Sequence, residues 1–173
     1  AKSQSTASAA LTAGTNVGTG SLSIQLGTWS SGFGAFTPGA AAAVNITIGV
    51  GEDTLTSIAT KINDANAGVT ATVSTDASGE RLMIRSNATG EAKGFRIQVT
   101  DADTTNTNNT GLSRLGFDPA AGAFGMGTTI GTAVQAQDAK ALLNNVPTQS
   151  STNTFSSLVP GLTLTAAKVT TTP

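Results

Sequence analysis

The chain contains no cysteine and no histidine among its 173 residues. Their absence excludes disulfides, cysteine nucleophiles, Cys/His zinc sites and acid–base catalysis by histidine. A Ser-His-Asp triad cannot form within the chain for the same reason. Scattered carboxylates and hydroxyls remain as reactive groups. We therefore expect no enzyme, with no catalytic residue, no cofactor-binding residue and no metal ligand.

Charged and aromatic side chains are also scarce. Charged residues make up 11% of the sequence, the formal net charge is −1, and aromatic residues make up 4%. An ordinary soluble domain has about a quarter of its residues charged. The sequence has no basic face for nucleic acid, no Lys/Arg run for an anionic membrane, and no apolar run near the roughly 20 residues of a spanning helix. Neither nucleic acid nor a membrane is an expected partner.

Threonine, alanine and glycine dominate the residues that are present. Threonine favours strands and glycine favours turns, so the composition indicates mainly β structure. The length fits one domain or two small ones. The sequence shows no signal peptide at residues 1–3, does not begin with Met and has no clear terminal element, which predicts a fragment of a longer protein. A cysteine-free chain also suits export in an unfolded state, because no thiol can mispair.

The stretch from Asp53 to Asp101 has the clearest pattern. Apolar residues at spacings i, i+3, i+4 and i+7 predict a helix over residues 53–66, and these are Leu55, Ile58, Ala59 and Ile62. Asp53 is the predicted N-cap, since its carboxylate can accept from free N–H groups of the first turn, and Gly68 is the predicted stop. An isolated helix this short is marginal, so it needs a sheet to lie on.

Three strand-like runs follow the helix. Residues 69–74, 81–85 and 95–100 alternate between apolar and polar side chains, which is typical of half-buried strands. The first two runs are separated by a predicted turn over residues 76–79. Leu82 and Ile84 of the second run should share one face. The helix and these runs together predict an α+β unit over residues 53–101.

Further elements are predicted on both sides of this unit. Residues 18–27 and 44–48 alternate in the same way, and the Gly-rich stretch 29–39 between them reads as a long hairpin loop. Leu112 and Leu115 fit one short helical turn that ends at Gly116. Residues 118–131 are rich in Gly and Ala and are interpreted as a connector. The predicted domains are an outer β domain over residues 1–120 and part of a second small β domain over residues 121–173.

The last third of the sequence leaves alternatives open. Residues 139–146 fit either a helix or two strands with Asn144-Asn145 as the turn, and periodicity does not decide between them. Asn153 precedes a predicted capped turn over residues 154–158, which Val159-Pro160-Gly161 should break, and residues 162–166 predict a strand. The expected fold class is mainly β (α+β), with two small antiparallel β-sheet domains and one amphipathic helix, residues 53–66, packed on a sheet.

Aromatic residues cluster in the loop over residues 29–39. Trp29, Phe33 and Phe36 either cover the open end of the sheet or contact a ligand or partner, and the first alternative is favoured. Exposed aromatic residues here would motivate an adhesin or a glycan-binding module.

A polar loop follows residue 100 and suggests a calcium site. It contains Asp101, Asp103, Asn106 and Asn108. An EF-hand loop needs Gly at its sixth position and Glu at its twelfth, where this chain has Asn106 and Leu112. A solvated loop is therefore favoured over weak cation binding.

The residues of the helix and hairpin resemble a known motif. The runs 55–71, 81–86 and 89–90 are similar to the hook-associated motif of bacterial flagellar proteins. Residues 136–139, 151–154 and 159–164 are similar to the flagellar filament cap family, hook-associated protein 2. Hook–filament junction proteins and some flagellins share the first motif, so the combination with Val159-Pro-Gly-Leu-Thr-Leu164 is what favours the cap.

The resemblance implies an outer-head fragment of two small, mainly β domains, without the helical termini and coiled coil of the full-length protein. It implies the strand–turn reading of residues 139–146, although the family often has an Asp-Gly turn where this chain has Asn144-Asn145. It also implies an extracellular location at the filament tip, self-association into a ring, and contact with flagellin subunits, whose insertion the cap guides. Some members of the family contact host mucus.

Two other functions stay open at this point: a hook–filament junction protein, and an extracellular adhesin or glycan-binding module. The fragment alone is expected to be monomeric or weakly associating, because no broad apolar stripe remains once the core is assigned.

Overall fold

The structure, a computed structural model, describes residues 1–159 and 161–167. It is mainly β, with antiparallel strands and one α-helix among the described residues, α1 (Leu55–Asp64). The strands are β1 (Ser5–Ala7), β2 (Gly20–Trp29), β3 (Phe36–Pro38), β4 (Val44–Ile48), β5 (Val69–Asp76), β6 (Gly79–Ser86), β7 (Gly94–Asp101), β8 (Ala139–Leu143), β9 (Val146–Ser150), β10 (Thr154–Val159) and β11 (Leu162–Thr165). The mainly β fold class expected from the sequence is confirmed.

The strands of the first hundred residues form two antiparallel sheets. In the first sheet, β6 lies between β1 and β5. In the second, β2 pairs with β7 along residues 20–27 and uses its other edge for β4 and β3. The run predicted over residues 95–100 is therefore a strand, but it joins β2 and not the β5–β6 hairpin that precedes it. Local periodicity predicts that a segment is a strand, but it does not identify the strand with which that segment pairs.

The N-cap of the helix lies one residue later than predicted. Thr54 is the N-cap, and its Oγ1 accepts from the N–H of Ser57 at 3.3 Å. Asp53 is buried instead, and its carbonyl oxygen accepts from the N–H of Val17 at 2.7 Å. The prediction of Asp53 as the cap is wrong, because a hydroxyl one position later occupies the capping geometry. At the other end, Asn66 has a left-handed φ of 51° and takes the stopping role that was predicted for Gly68.

The apolar face of α1 is buried as the sequence predicts. Leu55, Ile58 and Ile62 are 2%, 0% and 0% exposed. They belong to one cluster with the inner faces of both sheets, including Leu82 and Ile84 of β6. Full burial of such a side chain stabilises the fold by roughly 1.5–3 kcal/mol. The prediction of an amphipathic helix packed on a sheet is confirmed.

Polar side chains of α1 contact an edge strand of each sheet. Asn63 donates from Nδ2 to the carbonyl oxygen of Ala71 in β5 at 2.9 Å, and its Oδ1 accepts from the Ala71 N–H at 2.8 Å. Lys61 Nζ donates to the carbonyl oxygen of Thr47 in β4 at 3.2 Å. The amide of Asn63 thus pairs with β5 as a neighbouring strand would. It covers part of an edge that could otherwise pair with another chain.

Replacing Asn63 should uncover this edge. We expect Asn63→Ala to lower the free energy of unfolding by about 1–2 kcal/mol, because both backbone groups of Ala71 lose their partner. We also expect more self-association, which light scattering would detect. Asp64→Ala is the matched control, since this exposed neighbour on the same helix makes no side-chain contact with β5 among the described residues. A urea titration in which both variants unfold alike would contradict the assignment.

The last part of the chain forms two hairpins. β8 pairs with β9 across Asn144 and Asn145, whose φ values of 49° and 64° suit a left-handed two-residue turn. Of the two alternatives for residues 139–146, the strand–turn reading is therefore correct. The capped turn predicted after Asn153 is wrong, because residues 154–159 pair with β11 and so adopt an extended conformation. Pro160, which was predicted to break that turn, lies outside the described residues.

The stretch interpreted as a connector packs against the first sheets. Residues 125–132 form 3₁₀ turns. Met126 is 0% exposed and belongs to the main buried cluster, and Phe124 is 5% exposed. The Oγ1 of Thr129 donates to the carbonyl oxygen of Ala7 at 2.8 Å. The division of the chain at residue 121 stays a prediction, and these contacts favour a boundary further along the chain.

Candidate functional site

The aromatic residues of the β2–β3 hairpin are packed inside the protein. Trp29 is 2% exposed and Phe33 is 6% exposed, while Phe36 is half-buried. Nε1 of Trp29 donates to the carbonyl oxygen of Phe95 at 2.8 Å. The ring centroids of Trp29 and Phe36 lie 4.8 Å apart. The alternative in which these rings cover the end of the sheet is the one the structure supports. The Trp29 side chain therefore has no exposed surface that could contact a ligand.

The loop suggested as a calcium site is held by hydrogen bonds within the protein. Asp101 is 6% exposed, and its carboxylate accepts from the N–H of Ser113 at 2.8 Å and from the N–H of Asp103 at 3.2 Å. The Ser113 hydroxyl lies 3.1 Å from the same carboxylate but donates to the closer carbonyl oxygen of Thr105 at 2.6 Å. Oδ1 of Asn106 accepts from the Asp101 N–H at 2.8 Å. Asp103 and Asn108 each accept from a backbone N–H two residues further on. The carboxylate of Asp101 is therefore a structural acceptor that fastens the loop.

The same loop leads into a short helical turn that the sequence predicts. Residues 111–115 form a 3₁₀ turn that ends at Gly116, and Leu112 and Leu115 are both 0% exposed. Across residues 1–159 and 161–167, no group of three or more acidic side chains is placed to hold a metal ion. The Asp101 carboxylate thus stabilises this turn through its hydrogen bond from the Ser113 N–H.

Other carboxylates form exposed ion pairs. Nζ of Lys61 lies 2.8 Å from Oε2 of Glu52, and Nε of Arg81 lies 3.4 Å from Oδ2 of Asp76. The hydrogen bond from Lys61 holds the pKa of Glu52 below its ordinary value, and the N–H of Ser78 does the same for the pKa of Asp76. Both groups are kept ionised near neutral pH. A general acid needs the opposite shift.

Two surfaces carry exposed apolar side chains, and the sequence reasoning missed both. One is a groove beside the β1–β6–β5 sheet, where Met83 and Val134 are 45% and 41% exposed. The other is formed by the C-terminal hairpins, where four residues, not all on one face, are 39% to 68% exposed: Leu142, Val146, Leu162 and Leu164. The expectation that no broad apolar stripe remains after the core is assigned stays a prediction, because these exposed side chains do not all share one face. Alternation shows which residues share a face, but not whether another element covers that face.

The carboxylates described above are occupied by hydrogen bonds and ion pairs, whereas apolar side chains are exposed. The site therefore supports binding to another protein surface more than catalysis. Exposed apolar area of this kind is typical of interaction sites. Within the residues that the structure describes, no helix is both long and apolar enough to span a membrane.

A known sequence motif matches the middle of the chain. The family described as the Flagellin hook IN motif matches residues 31–88. This range overlaps the motif predicted over residues 53–101 and starts earlier, so that it includes β3 and β4. It ends in the loop after β6 and leaves β7 outside.

Two curated relatives extend the likeness beyond that motif. The B-type flagellar hook-associated protein 2 of Pseudomonas aeruginosa PAO1 is 33% identical over 128 residues, which cover 72% of this chain and 27% of that protein. The flagellar hook-associated protein 2 of Escherichia coli K12 is 33% identical over 114 residues, which cover 65% of this chain and 22% of that protein. The chain therefore spans about a quarter of the length of these relatives.

Solved structures resemble the whole chain. The D2–D3 domains of the flagellar cap protein FliD from Escherichia coli match with a TM-score of 0.77 and 28% identity, covering 99% of this chain and 79% of that one. FliD (HAP2) from Pseudomonas aeruginosa PAO1 matches with a TM-score of 0.64 and 26% identity, covering 98% of this chain and 76% of that one. The likeness includes the C-terminal hairpins, which the motif does not reach.

Proposed function

Because this chain belongs to the flagellar filament cap family, hook-associated protein 2, we propose that it forms the outer head of a cap protein. The full-length protein would sit at the tip of the filament, outside the cell, associate into a ring and promote the polymerisation of flagellin. The observation that carries this proposal is the match of nearly the whole chain to the D2–D3 domains of a flagellar cap protein.

The chemistry of the chain supports a structural role. Cysteine and histidine are absent from the sequence, Asp101 is occupied by hydrogen bonds inside the fold, and the shifted carboxylates are held in their ionised form. We propose on these grounds that the protein is not an enzyme. Exposed apolar residues on the hairpins offer area for contact with neighbouring subunits or with flagellin.

A chimera tests the proposal directly. In Escherichia coli K12, the D2–D3 segment of the resident hook-associated protein 2 would be replaced by this chain, and swimming and filament length would be measured. We expect filaments to grow, because family members share the outer head. The control chimera carries an unrelated β domain of similar length, which should leave flagellin unpolymerised in the medium.

A stable, exported chimera that behaves like the control would overturn the proposal. Electron microscopy of the purified chimera adds a second readout, since cap function requires rings or decorated filament ends. A junction protein would instead be found between hook and filament. The relatives found are hook-associated protein 2 and cap proteins, so this alternative is not favoured. The adhesin alternative loses its motive because Trp29 is buried.

A further inference from the structure

The loop between β6 and β7 contacts the C-terminal hairpins. Oγ1 of Thr89 donates to the carbonyl oxygen of Ser151 at 2.8 Å. The N–H of Glu91 donates to Oδ1 of Asp138 at 2.7 Å. We call residues 1–136 the body and the described residues from 138 onwards the hairpin unit. These contacts, at residues 89–91 on the body and 138 and 151 on the hairpin unit, form the joint together with a hydrogen bond from the N-terminal amine of Ala1 to Oδ1 of Asn153.

Contacts across the joint are made by polar groups. Glu91 and Ser151 are exposed, and Thr89 and Asp138 are half-buried. Four large apolar residues of the hairpins are exposed and so do not close the joint: Leu142, Val146, Leu162 and Leu164. Phe155 is buried, but it lies outside the cluster that forms the main core. Exposed hydrogen bonds exchange readily with water, so such a joint can open at far less cost than a core.

At Gly90 the backbone of the body lies directly against that of the hairpin unit at Ser151. The φ of Gly90 is +106°, a value that side chains other than glycine rarely allow. A Cβ at this position would lie 2.7 Å from the Cβ of Ser151 and 2.9 Å from the Ser151 carbonyl oxygen. Any side chain here would push the segment around Ser151 away. The joint therefore depends on the absence of a side chain at Gly90.

We propose that the joint is a hinge that polar contacts hold closed and that sets the angle between the body and the hairpin unit. The closed position depends on the close contact of Gly90 with Ser151. Opening the hinge leaves the core of the body intact. The boundary between two structural units then falls near residue 137, after the segment containing Met126 and not before it. The proposal stands on the joint alone and does not depend on the role of the protein in a filament.

Distance measurement between spin labels tests the hinge. The chain lacks cysteine, so Thr60→Cys on α1 and Lys140→Cys on β8 give two unique, exposed attachment points. Double electron–electron resonance on the complete chain should give one narrow distance distribution. Adding Gly90→Ala should replace it by a shifted and broader one. Asp138→Ala, which removes the acceptor for the Glu91 N–H, should broaden it as well.

Gly122→Ala is the matched control. Gly122 also has a positive φ, +137°, but a Cβ there meets nothing within 4 Å. This variant carries the backbone strain without the collision and should keep the narrow distribution. Fluorescence of Trp29, the one tryptophan of the chain, reports the body, and its urea midpoint should be the same in Gly90→Ala as in Gly122→Ala. An unchanged distance distribution in Gly90→Ala would overturn the proposal, and so would a lower Trp29 midpoint in Gly90→Ala than in the control.

Discussion

Trp29→Ala is expected to lower the free energy of unfolding by about 3–5 kcal/mol, the usual cost of removing a large buried aromatic side chain. Trp29 is 2% exposed and packs its ring against Phe33, Phe36 and Phe117. Deleting the ring leaves a cavity and also frees the carbonyl oxygen of Phe95 from its indole donor. Since a domain of this size is stable by only about 5–15 kcal/mol, the loss is a large share of the total.

Urea unfolding followed by far-ultraviolet circular dichroism measures this loss without needing the tryptophan. Trp29→Phe is the first control, since it keeps an aromatic ring but removes the indole N–H, and about 1–2 kcal/mol should be lost. Val50→Ala is the second control, because Val50 is 94% exposed and its truncation should change little. A loss for Trp29→Ala below about 1 kcal/mol, the size of a surface effect, would show that the ring is not in the core.

This result also limits how a binding experiment can be interpreted. A Trp29→Ala variant that fails to bind a glycan would be expected to have lost its fold, because the side chain is buried. Substitutions meant to test surface binding belong at exposed positions. Met83 and Leu142 are exposed and therefore suitable.

Asp101→Ala should have the second largest effect, a loss of about 3 kcal/mol, because buried donors to a charged group would be left without an acceptor. The carboxylate accepts from the N–H groups of Ser113 and Asp103. It also fixes the turn that buries Leu112 and Leu115. Asp101→Asn is the matched control, since it has the same shape and keeps one acceptor oxygen, and it should lose less.

The same experiment distinguishes a structural loop from a calcium loop. We expect the unfolding midpoint of the unmodified chain to be equal in millimolar calcium and in chelator, because Asp101 is already occupied by protein donors. A ligand that binds the folded state raises the midpoint. A clear rise with calcium, lost in Asp101→Ala, would show that the loop binds the ion after all.

The helix and the hairpin beside it could be predicted from the sequence, for a physical reason. Their signals are local: the spacing of Leu55, Ile58 and Ile62 matches one helix face, and the alternation around Leu82 and Ile84 matches one strand face. The partner of β7 could not be predicted in this way. Its pairing with β2 joins residues that are 67 to 81 positions apart, and neither strand carries a local signal that identifies the other.

The surfaces were harder to predict than the elements. The aromatic residues of the 29–39 loop left two alternatives open, and the favoured one, in which they cover the end of the sheet, agrees with the buried position of Trp29. Leu164 lies in a predicted strand, and Leu142 lies in a segment for which helix and strand both stayed open, yet both side chains are exposed. Burial depends on which other elements arrive, so a pattern within one strand cannot decide it. The glycine at residue 90 gave no local signal either, since its contact is with Ser151.

The central position of β2 has a consequence for what can fold alone. Residues 31–88 share one evolutionary signature, but β2 begins before this range and β7 ends after it. An excised piece with these limits would leave β4 without its partner and would remove the residues of β2 and β7 that share the buried cluster with α1. The matched range, residues 31–88, therefore lacks two strands that the fold needs, β2 and β7. The chain must be available as far as Asp101 before its second sheet can close, and such distant strand pairing is intrinsically slow.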